Sequence, residues 1–359
     1  MRIAFVADAN HADVQKITSA LALAGHELHL FSFLSPADPI PGVTVHHLQP
    51  SGSLRVSYVV AAPRLRHYLR ALRPQIVHAY FATGNGLLAT LAGVHPLVVS
   101  TAGSDVLVSP KRSRLMRRLL RWVFQRADLV TVLAPHMEHA VGEVGCEPAK
   151  LLTLLLNGIS LADYPSRLPR PPQSPVRVIC TRGMLARYRH DLILHAAHQL
   201  RAAGHALTWT LLGSGPARPA LEAQAHRLAL TDIVRFTGRQ PRTTIPAVLA
   251  ASDLFVSMSP TDGVSSSLLE AMAAGVLPVV PDNEPNRGWI EAGVGGILIP
   301  EISAPALSLS VIRALEGGEE LITRAAARNR AVIEARADLE RTLATLINHY
   351  ERLASRTDS

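Results

Sequence analysis

Five prolines fall within the twelve residues Tyr164-Pro-Ser-Arg-Leu-Pro-Arg-Pro-Pro-Gln-Ser-Pro175. No helix or strand can run through such a stretch, because proline lacks the N–H that both need and restricts the residue before it. On either side the hydrophobic pattern is the same: short apolar runs alternate with amphipathic helical segments, the pattern of parallel sheets covered by helices. The chain therefore reads as α/β with two Rossmann-like domains, and its 359 residues suit two cores of about 150 residues each. The expected boundaries are 1–163 for the first domain, 164–175 for the linker, 176–335 for the second domain and 336–359 for a helical segment packing back toward the first.

Strands are expected near Ile3–Ala7, Glu27–Ser32, Val43–His47, Gln75–Tyr80, Pro96–Thr101 and Leu129–Val132. After the linker they recur near Val176–Cys180, Leu207–Leu212, Ile233–Phe236, Leu254–Val256 and Leu277–Val280. Open sheets of this type bind ligands beyond the carboxyl ends of their strands, so two such sheets facing each other imply a ligand cleft between domains.

Asp262-Gly-Val-Ser-Ser-Ser-Leu-Leu-Glu270 carries the chemistry most directly. It sets two carboxylates eight positions apart across a loop-to-helix junction whose backbone N–H groups, at residues 264 to 267, suit a phosphate. Asp262 could then meet sugar hydroxyls while Glu270 reaches a ribose. The same residues also read as a capping box between Ser267 and Glu270, with Asp262 an ordinary turn residue, and both readings can hold together. Arg182 and Arg187 share the loop after the second domain's first strand, where two guanidiniums could neutralise a departing diphosphate. Gly213 and Gly215, in Leu211-Leu-Gly-Ser-Gly-Pro216, could let backbone approach a nucleotide. Neither this segment nor the first strand's loop completes the three-glycine dinucleotide fingerprint, which argues against an NAD dehydrogenase.

In order and spacing, the motifs resemble the family 4 (group 1) retaining glycosyltransferases of the GT-B fold. The first half contributes Ala24-Gly-His-Glu-Leu-His29, Ile76-Val-His-Ala-Tyr80, Gly103-Ser-Asp105, Ala127-Asp-Leu-Val130 and Leu156-Asn-Gly-Ile159. The more diagnostic second half contributes Gly213-Ser-Gly-Pro216, Val234-Arg-Phe-Thr-Gly238, Ala251-Ser-Asp253, Asp262 through Gly275 and Pro278-Val-Val280. The resemblance implies a hexosyltransferase that needs neither metal nor cofactor and takes a nucleotide diphosphate sugar, UDP- or GDP-linked, as donor substrate. Arg182 and Arg187 would hold the diphosphate, Glu270 the ribose, and Asp262, Gly263, Val264, Ser265 and Ser266 the sugar and phosphates. Gly213, Gly215 and Gly238 would line the nucleotide pocket, and Asp105 would contact the transferred sugar. Asn10 and His11 would face a glycan or lipid-linked acceptor. Three departures stand out: the family's usual glutamate is Asp262; its usual lysine is Arg187, no lysine occurring after Lys150; and its glycine pair after the first strand is replaced by Ala9-Asn-His-Ala-Asp13. Many relatives also carry a histidine near Gly103-Ser-Asp105, where Asp105 is here the nearest polar candidate. A non-catalytic nucleotide-sugar binder of the same fold is the alternative.

Composition narrows the partners. No run reaches the roughly 18 apolar residues of a spanning helix. Met1–Asp8 meets an acid after five apolar residues, too few for a secretory signal core, so a cytoplasmic protein is expected. Two cysteines, Cys146 and Cys180, exclude a disulfide framework. The net charge of +8 is uneven: Leu54 to Arg126 holds twelve Arg and Lys against one acid, Asp105. With aromatics at 4% and no recognisable nucleic-acid motif, nucleic acid is not expected as a partner. Within Lys111–Arg126 the arginines 114, 117, 118 and 121 fall opposite Leu115, Leu119, Trp122 and Val123, a basic amphipathic helix suited to an anionic membrane surface or to packing on the first sheet.

Overall fold

The structure is a computed structural model that describes residues 1–50, 52–165, 174–260 and 264–356. The chain divides into two compact units: Met1–Asn157 with Leu339–Ser359, and Gly158–Asp338.

Seven parallel strands form the sheet of the first unit: β1 Arg2–Val6, β2 Glu27–Ser32, β3 Val43–His47, β4 Ile76–Tyr80, β5 Leu97–Ser100, β6 Leu129–Val132 and β7 Leu151–Thr153. Their order, β3-β2-β1-β4-β5-β6-β7, reverses direction between β1 and β4. The second unit repeats the plan with β8 Val176–Cys180, β9 Leu207–Leu212, β10 Val234–Gly238, β11 Leu254–Val256, β12 Leu277–Pro281 and β13 Ile297–Ile299, ordered β10-β9-β8-β11-β12-β13. Every pairing is parallel, and each central strand is buried along most of its length, as sheets sandwiched by helices require. These are the two Rossmann-like units expected from the sequence.

Asp253 shows what one of the motif residues does. It precedes β11 and is 6% exposed. Its carboxylate accepts the backbone N–H of Arg177 at 2.8 Å and the Arg177 guanidinium at 3.0 and 2.8 Å. The motif aspartate thus clasps β8 to β11 at the end of the sheet where these strands begin, and holds the switch point in register.

In the first unit the helix Leu339–Ser355 packs against β4 and the helix Ala12–Leu23. A buried polar chain ties it down: His78 on β4 is hydrogen-bonded through Nδ1 to the Tyr350 hydroxyl and through Nε2 to Ser100 Oγ at 2.5 Å, and Ser100 Oγ meets Thr131 Oγ1 at 2.6 Å. Burial pushes the His78 imidazole down from 6.5 to about 3. The unfolded chain therefore binds an extra proton below 6.5, so this contribution is complete above that pH and is lost as pH falls toward 3. The slope is at most about 1.4 kcal/mol per pH unit. Urea unfolding between about pH 7 and pH 5 should show wild type losing stability faster than His78→Gln; parallel losses would contradict the assignment.

Candidate active site

The second unit carries its share of the expected site at the carboxyl ends of β8, β9 and β10 and on the helix that follows β11. The loops after these strands are stitched backbone to backbone: Met184 N–H donates to the Ser214 carbonyl at 2.9 Å, Ala217 N–H to the Met184 carbonyl at 3.0 Å and Gly213 N–H to the Gly238 carbonyl at 2.9 Å. This approach explains the glycines. A β-carbon at Gly215 would stand 2.4 Å from the Met184 carbonyl oxygen, and one at Gly213, where φ is +140°, would stand 2.5 Å from the Arg182 carbonyl oxygen. Gly238, at φ +70°, lies under the Arg218 guanidinium.

Arg182 is 8% exposed. Its guanidinium donates to Ser265 Oγ at 3.0 Å and lies 4.1 Å from the centre of the Tyr188 ring. Arg187, exposed on the same loop, lies 4.8 Å from that ring centre and donates to the Tyr188 hydroxyl at 3.0 Å. One aromatic ring therefore holds both arginines of the expected pair, offsetting part of the repulsion between like charges. Behind them the strand end is neutral. Burial lowers His190 to about 4 and raises the Cys180 thiol to about 11, so Arg182 is the charged group there at neutral pH.

The helix Ser266–Ala273 begins beside Arg182. Ser265 caps it, accepting the Leu268 N–H at 3.3 Å, while Ser267 Oγ donates to the Thr181 carbonyl at 3.2 Å. The cap is thus Ser265 and not Ser267, so the Ser267–Glu270 capping box does not form; the tie from Ser267 to the β8 loop takes its place. Val264 is buried and Ser266 half-buried at the same helix start. Glu270, one turn on, has its side chain 12% exposed and pairs with Arg242 at 3.6 Å. Burial first, and then the Glu270 carboxylate, raise the nearby Tyr164 phenol. Asp262 and Gly263 lie outside the described residues.

The first unit brings its own expected residues to the ends of β1, β4 and β5. Asn10 donates from its side chain to the Ser35 carbonyl at 2.9 Å and accepts Ala37 N–H at 3.0 Å, which clips the loops after β1 and β2 together. The His11 ring packs 5.4 Å from Tyr80 and 5.3 Å from Phe81, with Asp13 at 4.0 Å. Phe81 takes a positive φ of 75°, a strained conformation of the kind that clusters at functional sites. Asp105 is 2% exposed, and its oxygens accept N–H groups of Ala82 at 2.9 Å, Ala102 at 3.1 Å and Gly103 at 3.0 Å. Burial raises its carboxyl and these three N–H groups oppose the shift. The Asp105 carboxylate is engaged with the loops after β4 and β5.

Tyr188 and Arg242 were not among the expected residues. An aromatic between two arginines, Arg187-Tyr-Arg189, was the available signal for the first; nothing local pointed to Arg242.

Two Rossmann-like units with glycine-stitched loops and a buried arginine at a helix start define the architecture of the GT-B glycosyltransferases. The chain belongs to the group 1 glycosyltransferases of family 4: the model described as glycosyl transferases group 1 matches residues 170–332, and that described as glycosyl transferase 4-like matches residues 2–133. Among curated relatives, WcaL of Salmonella typhimurium, named for colanic acid biosynthesis, is 28% identical over 52% of this chain and 47% of its own length. The amylovoran biosynthesis glycosyltransferase AmsK of Erwinia amylovora is 25% identical over 65% of this chain and 58% of its own. The matched stretches thus span about half the length of these relatives. Among solved structures, a sucrose-phosphate synthase of Thermosynechococcus elongatus superposes with a TM-score of 0.85 at 17% identity, covering 99% of this chain and all (100%) of that one. Anabaena HepE in complex with UDP and glucose superposes with a TM-score of 0.77 at 20% identity, covering 98% of this chain and 100% of that one. Likeness at this identity speaks for the fold.

Proposed function

We propose that the chain moves a hexose from a UDP- or GDP-sugar to a glycan or lipid-linked acceptor of cell-envelope polysaccharide synthesis, retaining the anomeric configuration and using no metal. One observation carries this reading: Arg182 is held against the capped start of Ser266–Ala273, with Arg187 on the same aromatic ring. Cationic donors beside a helix N-terminus suit the charge that a nucleoside diphosphate gains on leaving. The names of WcaL and AmsK support the polysaccharide context, and the UDP and glucose in the HepE complex support the donor class.

In the proposed step the anomeric C–O bond breaks with its electron pair passing to the leaving phosphate oxygen. Arg182 and Arg187 take up that charge. The acceptor hydroxyl bonds to the anomeric carbon on the face just vacated, and its proton passes to the same phosphate oxygen. Glu270 holds the ribose in place of its partner Arg242, and the loop of Asp262 and Gly263 with Val264, Ser265 and Ser266 holds sugar and phosphates. Gly213, Gly215 and Gly238 keep the nucleotide floor thin. Asn10 and His11 shape the acceptor side, and Asp105 acts through the loops it pins.

A thermal-shift screen against UDP, GDP, ADP, CMP and dTDP tests the donor pocket. One nucleotide should stabilise wild type by about 2.7 kcal/mol at a hundredfold excess over Kd. Glu270→Ala should weaken that nucleotide by roughly tenfold or more, the value of hydrogen bonds to a charged group. Equal stabilisation of wild type and Glu270→Ala would exclude the ribose role.

A further inference from the structure

The helix Leu54–Val60 exposes three valines, Val56, Val59 and Val60, at 51%, 55% and 54%. Monomeric surfaces scatter such side chains singly; three on two turns form a patch. This helix packs on Ala62–Leu72 and on Leu87–Ala92, and Leu87–Ala92 packs in turn on Arg114–Arg126. Each neighbour adds to the surface. Ala62–Leu72 exposes Arg64, Arg66 and Arg70, Leu87–Ala92 exposes Leu91, and Arg114–Arg126 exposes Arg114, Arg118 and Leu115, the last at 66%. Leu115 was expected on the helix's apolar face, for packing on the sheet or for meeting a membrane; the structure buries Leu120, Val123 and Phe124 and leaves Leu115 outside. The single acid between Leu54 and Arg126, Asp105, is buried and bound to backbone, so this stretch of chain contributes arginines and lysines to the surface and no exposed acid. Of the acids that follow in the chain, two are engaged with histidines: Asp128 pairs with His95 at 2.8 Å and, on the helix Pro135–Val144, Glu143 pairs with His139 at 3.3 Å.

We propose that this face of the first unit docks on an anionic lipid bilayer, the valines and Leu115 entering the headgroup boundary while the arginines meet lipid phosphates. Aliphatic side chains set among unpaired-sign charge decide for lipid over nucleic acid. A polyanion in water rewards the arginines but leaves the valines exposed, and base stacking would call for aromatic platforms. The inference does not depend on the transfer reaction, since vesicle binding is measured without turnover.

The test is co-sedimentation of the purified protein with phosphatidylcholine vesicles, with and without phosphatidylglycerol, at low salt and at about 1 M, where charges are screened beyond roughly 3 Å. Binding should require phosphatidylglycerol and fall at high salt. The surface variants Arg66→Gln/Arg114→Gln and Val56→Ser/Val59→Ser change only exposed side chains, and an unchanged melting temperature confirms their fold. The arginine pair should lower affinity by roughly tenfold or more, and the valine pair should weaken it as well. Binding that ignores phosphatidylglycerol, that survives both variants, or that is outcompeted by single-stranded DNA would overturn the proposal.

Discussion

Replacing Arg182 by alanine is expected to lower turnover by roughly 10²–10³-fold, the usual cost of one preorganised donor at a developing negative charge. It should also remove most of the stabilisation conferred by the nucleotide. The expectation rests on position: the guanidinium is buried, is fixed by Ser265 and Tyr188, and is the cation at a strand end whose thiol and imidazole are neutral. Arg182→Lys keeps the charge but loses the planar fork and the ring contact, so it should recover only part of the activity. Tyr188→Ala should fall between, because it frees both arginines without removing either. A melting curve without nucleotide separates lost binding from lost fold. Full activity in Arg182→Ala would remove the arginine from the reaction.

Gly215→Ala is expected to destabilise the second unit by about 1–3 kcal/mol, the cost of overpacking, and to weaken nucleotide binding with it. The new β-carbon would meet the Met184 carbonyl oxygen at 2.4 Å, and that oxygen already accepts the Ala217 N–H. Backbone on both sides leaves no flexible side chain to yield. Any relief must shift the loop that carries Arg182, which couples stability to the site. Gly142→Ala is the contrasting change: it lies in Pro135–Val144 with nothing within 4 Å of its added carbon, and alanine should there be neutral or gain up to about 1 kcal/mol. Denaturant unfolding of the two variants checks the pair, and a Gly215→Ala protein as stable as wild type would contradict the packing account.

Strand positions were legible because buried parallel strands are continuous apolar runs between helices, and most expected strands lie within a residue of those observed. Two were missed. β7 and β13 have three residues each and lie at sheet edges, too short to show a period. The cap of the site helix was misread for a different reason. Val264-Ser-Ser-Ser267 offers three competent capping serines, and the choice is made by Arg182 and Thr181, more than eighty positions earlier in the chain. Asn10 and Asp105 show the same limit: the loops that their side chains hold lie far from them in sequence or depend on the fold, so these contacts emerge only in three dimensions. The glycines of the β9 loop were legible as a close approach, but the partner approached, the β8 loop, emerges only in the fold.

The most direct test of the proposed transfer is to incubate the protein with sugar-labelled UDP- and GDP-hexoses and a mixture of lipid and glycan acceptors, and to determine the anomeric configuration of any labelled product. The account predicts label transferred from one donor with its configuration retained, and transfer reduced by two orders of magnitude or more in Arg182→Ala. Tight nucleotide binding with no transfer from any donor, or a product of inverted configuration, would contradict it.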